Sequence, residues 1–382
     1  MKEYVTIKAE NLSLVKERFS ILKENVPPLQ GAEIYCSEIT DREKPLYNSE
    51  KELDEMAQLL KNSGVRRLHC SYWASPSDFL YREDKSELLS HFGSEEAVRE
   101  YYTDLTGEHL FDRWCQEYAL AGKIKAEAYV FHLIDYFPID GQWAFSLTRN
   151  QILNYMVRLV SDFLQALKNK GLLNADSPAI ELENAGWGLE YGVQTAEDFQ
   201  YLFENVDDEY GKLHISWDIN HLLHAVGSRD GKGVFMLTEE EITEEMKILS
   251  CQYGHNPAVF ANEWIKHNLL HPQTKNKVRA IHLSDCALKE HQYFTNGKLE
   301  EPWFGQLENC RTWEEKEEYG VNIVLTHYDS HLPLGKGILE PESVRTIVGE
   351  LDGEGTGIDV LYELKNSSDL LDDLTGGLLW NI

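Results

Sequence analysis

The sequence is poor in cysteine and has no long hydrophobic run near its amino terminus. Its six cysteines form no CxxC pair and no dense framework, which argues against a disulfide-rich secreted scaffold and suits structural thiols in a reducing compartment. Charged residues interrupt every short apolar run of residues 1–19, so this segment lacks the core of a signal peptide or membrane span. We therefore expect a cytoplasmic protein with no membrane partner.

Positive charge is also scarce. The chain carries 36 Lys and Arg against 65 Asp and Glu, and its formal net charge is −29 at pH 7. A charge of this size repels polyanions at long range unless a local basic surface compensates for it. The chain also lacks an internal repeat, a low-complexity tract and a Pro/Gly/Ser-rich linker. These absences favour one domain over residues 1–382.

What is present is a regular alternation of short β-branched or aromatic runs with longer helical patterns. Apolar residues make up 42% of the 382 residues, as in ordinary globular proteins. The alternation predicts the α/β class and a (β/α)8 TIM barrel, which needs eight parallel strands and their crossover helices. The predicted strands are residues 31–38, 66–73, 126–133, 179–185, 214–220, 278–285, 322–329 and 359–365.

The connecting segments add two details. Residues 149–171 show apolar positions at helical spacing and a Gly171 stop, and Thr195 with Asp198 predicts a capped helix start. Two connections exceed what a tight barrel needs, residues 74–94 after the second predicted strand and 286–320 after the sixth. Both follow strands, so we expect both long loop insertions on the face where barrel enzymes build their sites.

His, Asp and Glu residues, the types that can bind a metal ion, lie near the carboxyl ends of the predicted strands from the second onward. They are His69, His132, Glu183, Asp218 with His221, His282, Asp329 with His331, and Glu363. A barrel brings these ends together, and four carboxylates at one mouth repel one another unless a cation binds there. Mixed imidazole and carboxylate ligands suit Zn, Mn, Fe or Co better than Mg or Ca.

The local motifs resemble those of the xylose-isomerase-like barrel superfamily, which contains sugar isomerases and epimerases and also the endonuclease IV branch. The resemblance covers His69 to Glu363 and is strongest in ELENAGWG, WDINH, IHLSD, DSHLPLGKG and YELK. It implies one divalent ion held by Glu183, Asp218, His282 and Glu363. In the endonuclease IV branch three zinc ions use further ligands, and the matching positions here are His69, His132, His221, Asp329 and His331. The resemblance thus implies one to three ions (Zn, Mn or Co) per chain.

The first interpretation is a metal-dependent isomerase or epimerase acting on a small sugar, sugar acid or sugar phosphate. Proton removal next to a carbonyl needs a cation for the enediolate and carboxylates for the proton. By resemblance, Glu183 and Glu363 would be both ligands and acid/base catalysts. Trp73 and Trp187 would pack on a sugar ring, and Lys336 beside two glycines would bind an anion. For these three residues, packing or a solvated turn is the alternative.

The second interpretation is a multi-zinc phosphodiesterase resembling endonuclease IV, because the full ligand set is present. The chain departs from that branch in HCSYW and FHLIDYF, which lack the usual prolines and glycines, and in its long segment between His282 and Asp329. The clearest basic stretches, residues 61–67 and 275–279, lead into strands and so lie opposite the site. Nucleic acid is therefore a poor candidate partner. A third interpretation is a non-catalytic metal- or sugar-binding barrel, since a fold does not guarantee a function. The resemblance separately suggests a homo-oligomer.

Overall fold

A computed structural model describes residues 1–8, 12–26, 28–71, 77–102, 104–134, 137–139, 142–144, 149–186, 192–227, 257–294, 321–353 and 357–364. Its centre is a closed barrel of eight parallel strands. In chain order they are β1 Lys2–Thr6, β2 Leu29–Tyr35, β3 Val65–His69, β4 Ala128–Leu133, β7 Ala179–Asn184, β8 Leu213–Asp218, β9 Val278–Leu283 and β12 Asp359–Tyr362. Strand β1 pairs with both β2 and β12 and thereby closes the barrel.

Four further strands form two antiparallel hairpins outside the barrel. Strands β5 (Phe137–Ile139) and β6 (Gln142–Ala144) form one hairpin after β4. Strands β10 (Asp285–Phe294) and β11 (Val321–Leu332) form the other after β9. Residues 295–320, the core of the second predicted insertion, lie outside the described residues.

The described helices lie along the chain between the strands. They are α1 Leu12–Asn25, α2 Glu50–Asn62, α3 Ser77–Tyr81, α4 Ser86–Phe92, α5 Glu95–Tyr102, α6 Glu108–Ile124, α7 Arg149–Asn169, α8 Ala196–Asn205, α9 Ile219–Gly227, α10 Pro257–Leu269 and α11 Pro341–Asp352. Short 3-10 helices span Cys36–Glu38 and Lys275–Lys277. None of these helices is both long enough and apolar enough to cross a lipid bilayer.

The predicted barrel is confirmed, with one strand assigned wrongly. The first barrel strand is β1, which was not predicted, and residues 322–329 belong to the β10–β11 hairpin instead. An apolar run with strand propensity does not reveal whether its partner is parallel or antiparallel. The two segments predicted as long connections follow the third and seventh barrel strands in chain order, not the second and sixth. Their described parts contain helices α3 and α4 after β3 and strand β10 after β9.

Local signals at helix ends are confirmed. The Thr195 side chain accepts the N–H of Asp198, and the Asp198 carboxylate accepts the N–H of Thr195, so α8 begins with a capping box. Helix α7 ends at Asn169, and Gly171 takes a φ of +68°, a conformation that glycine adopts without a steric penalty.

Two sets of side chains fill the barrel wall and its interior. Outside the strands, Phe131 of β4 stacks on Phe163 of α7 and meets the ring of Trp114 of α6 edge-on, each at a centroid distance of 4.8 Å. Inside, side chains repeat every second residue because strand side chains alternate between the two faces. This period brings charged residues into the interior as pairs, Arg67 with His69 and Glu181 with Glu183.

Candidate metal centre

Four buried ligands converge at the carboxyl ends of four consecutive barrel strands. Glu183 is the last residue but one of β7, Asp218 ends β8, His282 lies near the end of β9, and Glu363 follows β12 directly. One ligand atom from each lies within 4.8 Å of those of the others. Their side chains are at most 2% exposed. The structure thus brings together these four of the residues that the sequence analysis singled out.

The imidazole of His282 sits at the centre of this group. Its Nδ1 is 2.9 Å from Glu363 Oε2, 3.4 Å from Glu183 Oε1 and 4.0 Å from Asp218 Oδ2. Burial alone would raise the pKa of Glu183, but the neighbouring His282 and His132 hold that pKa well below its ordinary value. We conclude that the Glu183 carboxylate is ionised at neutral pH.

The donor set fits a divalent cation. Burial raises the pKa of Asp218, and its Oδ2 is buried without a hydrogen bond among the described residues. A buried, unsatisfied carboxylate oxygen is costly unless a partner neutralises it. Three carboxylates and one imidazole around a common point supply the oxygen and nitrogen ligands that zinc and similar metals accept. A cation among Glu183, Asp218, His282 and Glu363 would satisfy that oxygen.

Further histidines surround this centre and share its carboxylates. His132 and His221 form a second candidate group with Glu183, and His221 and His331 form a third with Asp218. Burial lowers the pKa of His132 to about 3, so its imidazole is neutral and its Nδ1 has no hydrogen bond in the described part of the chain. A neutral imidazole with an unused nitrogen is the form that binds a metal.

The backbone of His331 carries an unusual conformation at this place. Its φ is +43°, a left-handed value that is uncommon for any residue other than glycine. Its Nδ1 lies 3.1 Å from the carbonyl oxygen of Glu363 and 3.3 Å from Ser284 Oγ. Such outliers persist where surrounding contacts hold them, and they cluster at functional sites.

His69 is held differently from the other three histidines. Its Nε2 lies 2.8 Å from Glu183 Oε2, and its Nδ1 lies 3.0 Å from the carbonyl oxygen of Cys70. Both ring nitrogens therefore face protein oxygens, and His69 belongs to none of the three groups found among the described residues. In this geometry it orients the Glu183 carboxylate.

The remaining predicted site residues either lie outside the described residues or are exposed. Trp73, Trp187 and the side chain of Asp329 lie outside the described residues. Lys336 is exposed on the turn that follows β11. The amides of Gly335 and Gly337 on either side of it both donate to Asp285 Oδ2 at 2.8 Å, so they already bind an anion that belongs to the protein itself.

Two site residues that sequence reasoning missed lie at the carboxyl ends of the first two barrel strands. The Tyr35 hydroxyl donates to Glu363 Oε1 at 2.8 Å, and Lys8 Nζ lies 3.5 Å from the same oxygen. The Lys8 ammonium also lies over the Tyr35 ring, 5.4 Å from its centroid. Recognition of residues 2–6 as a strand would have placed Lys8 at this mouth, because the side chains of β1 alternate.

A second ionic cluster fills the barrel below the candidate centre. The guanidinium of Arg67 donates to Glu33 and Asp359 at 3.1 Å each, and to both carboxylate oxygens of Glu181. The four side chains are at most 5% exposed. Sequence reasoning missed all of them, although Arg67 and Glu181 each stand two residues before a predicted ligand. Period-two spacing is the signal that could have found them.

No family model and no curated protein matches this chain. Among solved structures, it is similar to a D-tagatose 3-epimerase-like protein at 17% identity and a TM-score of 0.46, covering 99% of this chain and 98% of that one. Endonuclease IV from Thermus thermophilus matches at 12% identity and 0.48, with 98% and 99% covered. A xylose isomerase domain protein from Planctomyces limnophilus matches at 13% and 0.47, with 99% and 94% covered.

Proposed function

We propose that this chain is a divalent-metal-dependent enzyme that isomerises or epimerises a small sugar, sugar acid or sugar phosphate by proton transfer. The observation that carries the proposal is the buried group of Glu183, Asp218, His282 and Glu363 at one end of the barrel. These ligands come from β7, β8, β9 and β12, which are neighbours in the barrel. The two glutamates therefore stand at the two ends of a four-strand arc, with Asp218 and His282 between them.

This arrangement suits proton transfer next to a carbonyl. When bound, a divalent cation polarises the carbonyl and stabilises the negative charge that develops on its oxygen. The chain supplies the rest. A carboxylate on each side of the substrate removes a proton and returns one, and both glutamates are ionised because nearby cationic groups outweigh their burial and hold their pKa values low.

The surroundings of each glutamate support a distinct proton path. Glu183 accepts from His69 at Oε2, while Tyr35 and Lys8 approach Glu363 at Oε1. Lys8 is 40% exposed at its side chain, so its ammonium also faces the mouth and offers a contact for an anionic group of a substrate. The proposed partner is thus a small carbohydrate, and the net charge of −29 argues against a nucleic acid.

The direct test follows solvent deuterium into candidate substrates by NMR. The metal-loaded protein is incubated in D2O with a panel of aldoses, ketoses, sugar acids and sugar phosphates, and we expect exchange at a carbon next to a carbonyl in at least one class. Glu183→Gln and Glu363→Gln should each lower that rate by about 10²-fold or more, the contribution of a positioned acid or base. Glu350→Gln, on the exposed face of α11, is the matched control and should exchange normally. Absence of exchange across the panel would refute the proposal.

A multi-zinc phosphodiesterase is the second candidate, and a specific observation favours it. His132, His221 and His331 form two further groups that share Glu183 and Asp218 with the central one. Clustered metals generate hydroxide and neutralise a scissile phosphate. Elemental analysis after brief dialysis separates the candidates: one ion per chain supports the isomerase, whereas two or three zinc ions with hydrolysis of bis-p-nitrophenyl phosphate support the hydrolase.

Replacing one of the further histidines also distinguishes the one-metal isomerase from the multi-zinc hydrolase. His132→Ala should leave a one-metal isomerase with its ion, since His132 is not among the four central ligands. In a multi-zinc hydrolase the same change should remove about one ion per chain together with the activity. A stably bound metal without turnover in either assay would leave a non-catalytic binding barrel. Cys36, Cys70, Cys115 and Cys286 are buried and form no disulfide among the described residues, which supports our proposal of a cytoplasmic location.

A further inference from the structure

We infer that Glu33, held by Arg67, is a positioning residue that orients His282 to bind the metal through Nδ1. The inference rests on the proposed metal centre and names a residue outside its ligand set. Glu33 lies in the middle of β2, with its side chain fully buried in the barrel interior. Neither the ligand motifs nor the three candidate groups include it.

The two ring nitrogens of His282 face different environments. Nδ1 points at the ligand group and lies 2.9 Å from Glu363 Oε2 and 3.4 Å from Glu183 Oε1. Nε2 points the other way and lies 3.4 Å from Glu33 Oε1. Nε2 and Glu33 Oε1 are both buried, and neither has a hydrogen bond in the described ranges. These two unsatisfied atoms are therefore the natural partners of one another.

Arg67 fixes Glu33 in place from the other side. Arg67 Nε donates to Glu33 Oε2 at 3.1 Å, and the two residues are direct neighbours in the register of β2 and β3. Arg67 is in turn held by Glu181 and Asp359. One carboxylate oxygen of Glu33 is thus committed to the guanidinium, and the remaining oxygen is directed at His282.

The chemistry of imidazole gives this contact its consequence. An imidazole that binds a metal is neutral and carries one N–H, and the hydrogen bond made by that N–H decides which nitrogen keeps the lone pair for the metal. A carboxylate opposite Nε2 draws the hydrogen there and leaves the lone pair on Nδ1, the nitrogen that faces the ligand group. Partners of this kind orient metal-binding histidines and raise their basicity, and their loss costs about 10- to 100-fold in metal affinity.

The test compares two variants that each remove one negative charge from the Arg67 cluster. Glu33→Gln removes the carboxylate that faces His282, whereas Asp359→Asn removes one that contacts Arg67 but stands four residues before Glu363 on β12. The affinity of the full-length apoprotein for Zn²⁺ and Co²⁺ is measured by competition with a chromophoric chelator. We expect Glu33→Gln to bind about 10- to 100-fold more weakly, with an altered visible spectrum of bound Co²⁺. Asp359→Asn should keep the native affinity and spectrum.

Each outcome decides the inference. Native affinity in Glu33→Gln, or an equal loss in both variants, would overturn the positioning role while leaving the proposed metal centre intact. Failure of the native protein to bind either metal would overturn both. Should Glu33→Gln fail to fold, Glu33→Asp carries the test, because it keeps the charge but withdraws the carboxylate from His282 by one methylene; weakened binding supports the inference and unchanged binding refutes it.

Discussion

The carboxylate of Asp285 anchors the turn that follows His331, and its removal should be unusually costly. Asp285 begins β10, two residues after β9 ends. Its Oδ1 accepts the amides of Cys286 at 2.7 Å and Leu339 at 3.0 Å. Its Oδ2 accepts those of Gly335 and Gly337 at 2.8 Å each. The side chain is fully buried, so four backbone donors depend on one carboxylate for their hydrogen bonds.

Asp285→Asn changes the shape little but reverses the chemistry at one of the two oxygen positions. The amide nitrogen would face two N–H donors and accept from neither, so two hydrogen bonds to a charged acceptor are lost. Such bonds contribute about 1.5–3 kcal/mol each. The other oxygen keeps its two bonds in a weaker, uncharged form. We therefore expect the free energy of unfolding to fall by about 3–5 kcal/mol.

Urea denaturation at pH 7, followed by circular dichroism, measures this loss. A glycine pair provides a control for the same turn: a Cβ at Gly337 would collide with the carbonyl oxygen of Cys286 and the carboxylate of Asp285, whereas a Cβ at Gly349 of α11 would meet nothing within 4 Å. Gly337→Ala should destabilise the protein, and Gly349→Ala should stabilise it by up to about 1 kcal/mol. A loss below about 1 kcal/mol in Asp285→Asn would refute the anchoring role.

Three further predictions concern stability and the site. Burial raises the pKa of Asp359 to about 6. Between about pH 4 and pH 6 this carboxyl therefore binds more protons in the folded protein than in the unfolded chain. Its contribution to the free energy of unfolding falls by about 2–3 kcal/mol as the pH rises through this window. In Asp359→Asn the free energy of unfolding should decline less between pH 4.5 and pH 7.5 than in the native protein, as urea titrations at the two pH values will show. An equal decline in the two proteins would contradict this prediction. Tyr35→Phe removes a donor to Glu363 and should move the acid limb of the kcat/KM profile to higher pH; an unmoved limb would argue against the contact. Thr195→Ala breaks the α8 capping box and should lower the unfolding midpoint in urea, at a cost of about 1 kcal/mol; an unshifted midpoint would contradict it.

Seven of the eight barrel strands could be predicted from the sequence because each is a short apolar run within the alternation of strand and helix patterns. Strand β1 was missed since its residues, KEYVT, are few and begin with two charges. Residues 322–329 have the same propensity as the barrel strands, but they pair antiparallel with β10. Propensity describes the strand itself, and the identity of its partner depends on distant parts of the chain.

The central ligands could be predicted because barrel geometry brings strand ends together whatever lies between them. The charged residues one layer deeper in the barrel could not be inferred from the strand ends alone. Glu33 and Arg67 sit within strands that otherwise read as apolar, where charged residues are rarely buried without a partner. The partners of Arg67 come from β2, β7 and β12, so its satisfaction depends on closure of the barrel.

The two charged layers of the interior pose the same electrostatic problem. In the lower layer three carboxylates, Glu33, Glu181 and Asp359, surround one guanidinium, Arg67. In the upper layer three carboxylates, including Glu183 and Glu363, surround an imidazole and a point that a divalent cation fits. Buried charges persist only when they are paired. The chain supplies the cation of the lower layer as the permanently charged Arg67 side chain. In the described part of the chain, the cationic groups that face the upper carboxylates are titratable imidazoles, among them His282, and the partly exposed Lys8. That asymmetry is the strongest electrostatic reason to expect a metal above Arg67 and not a purely organic site.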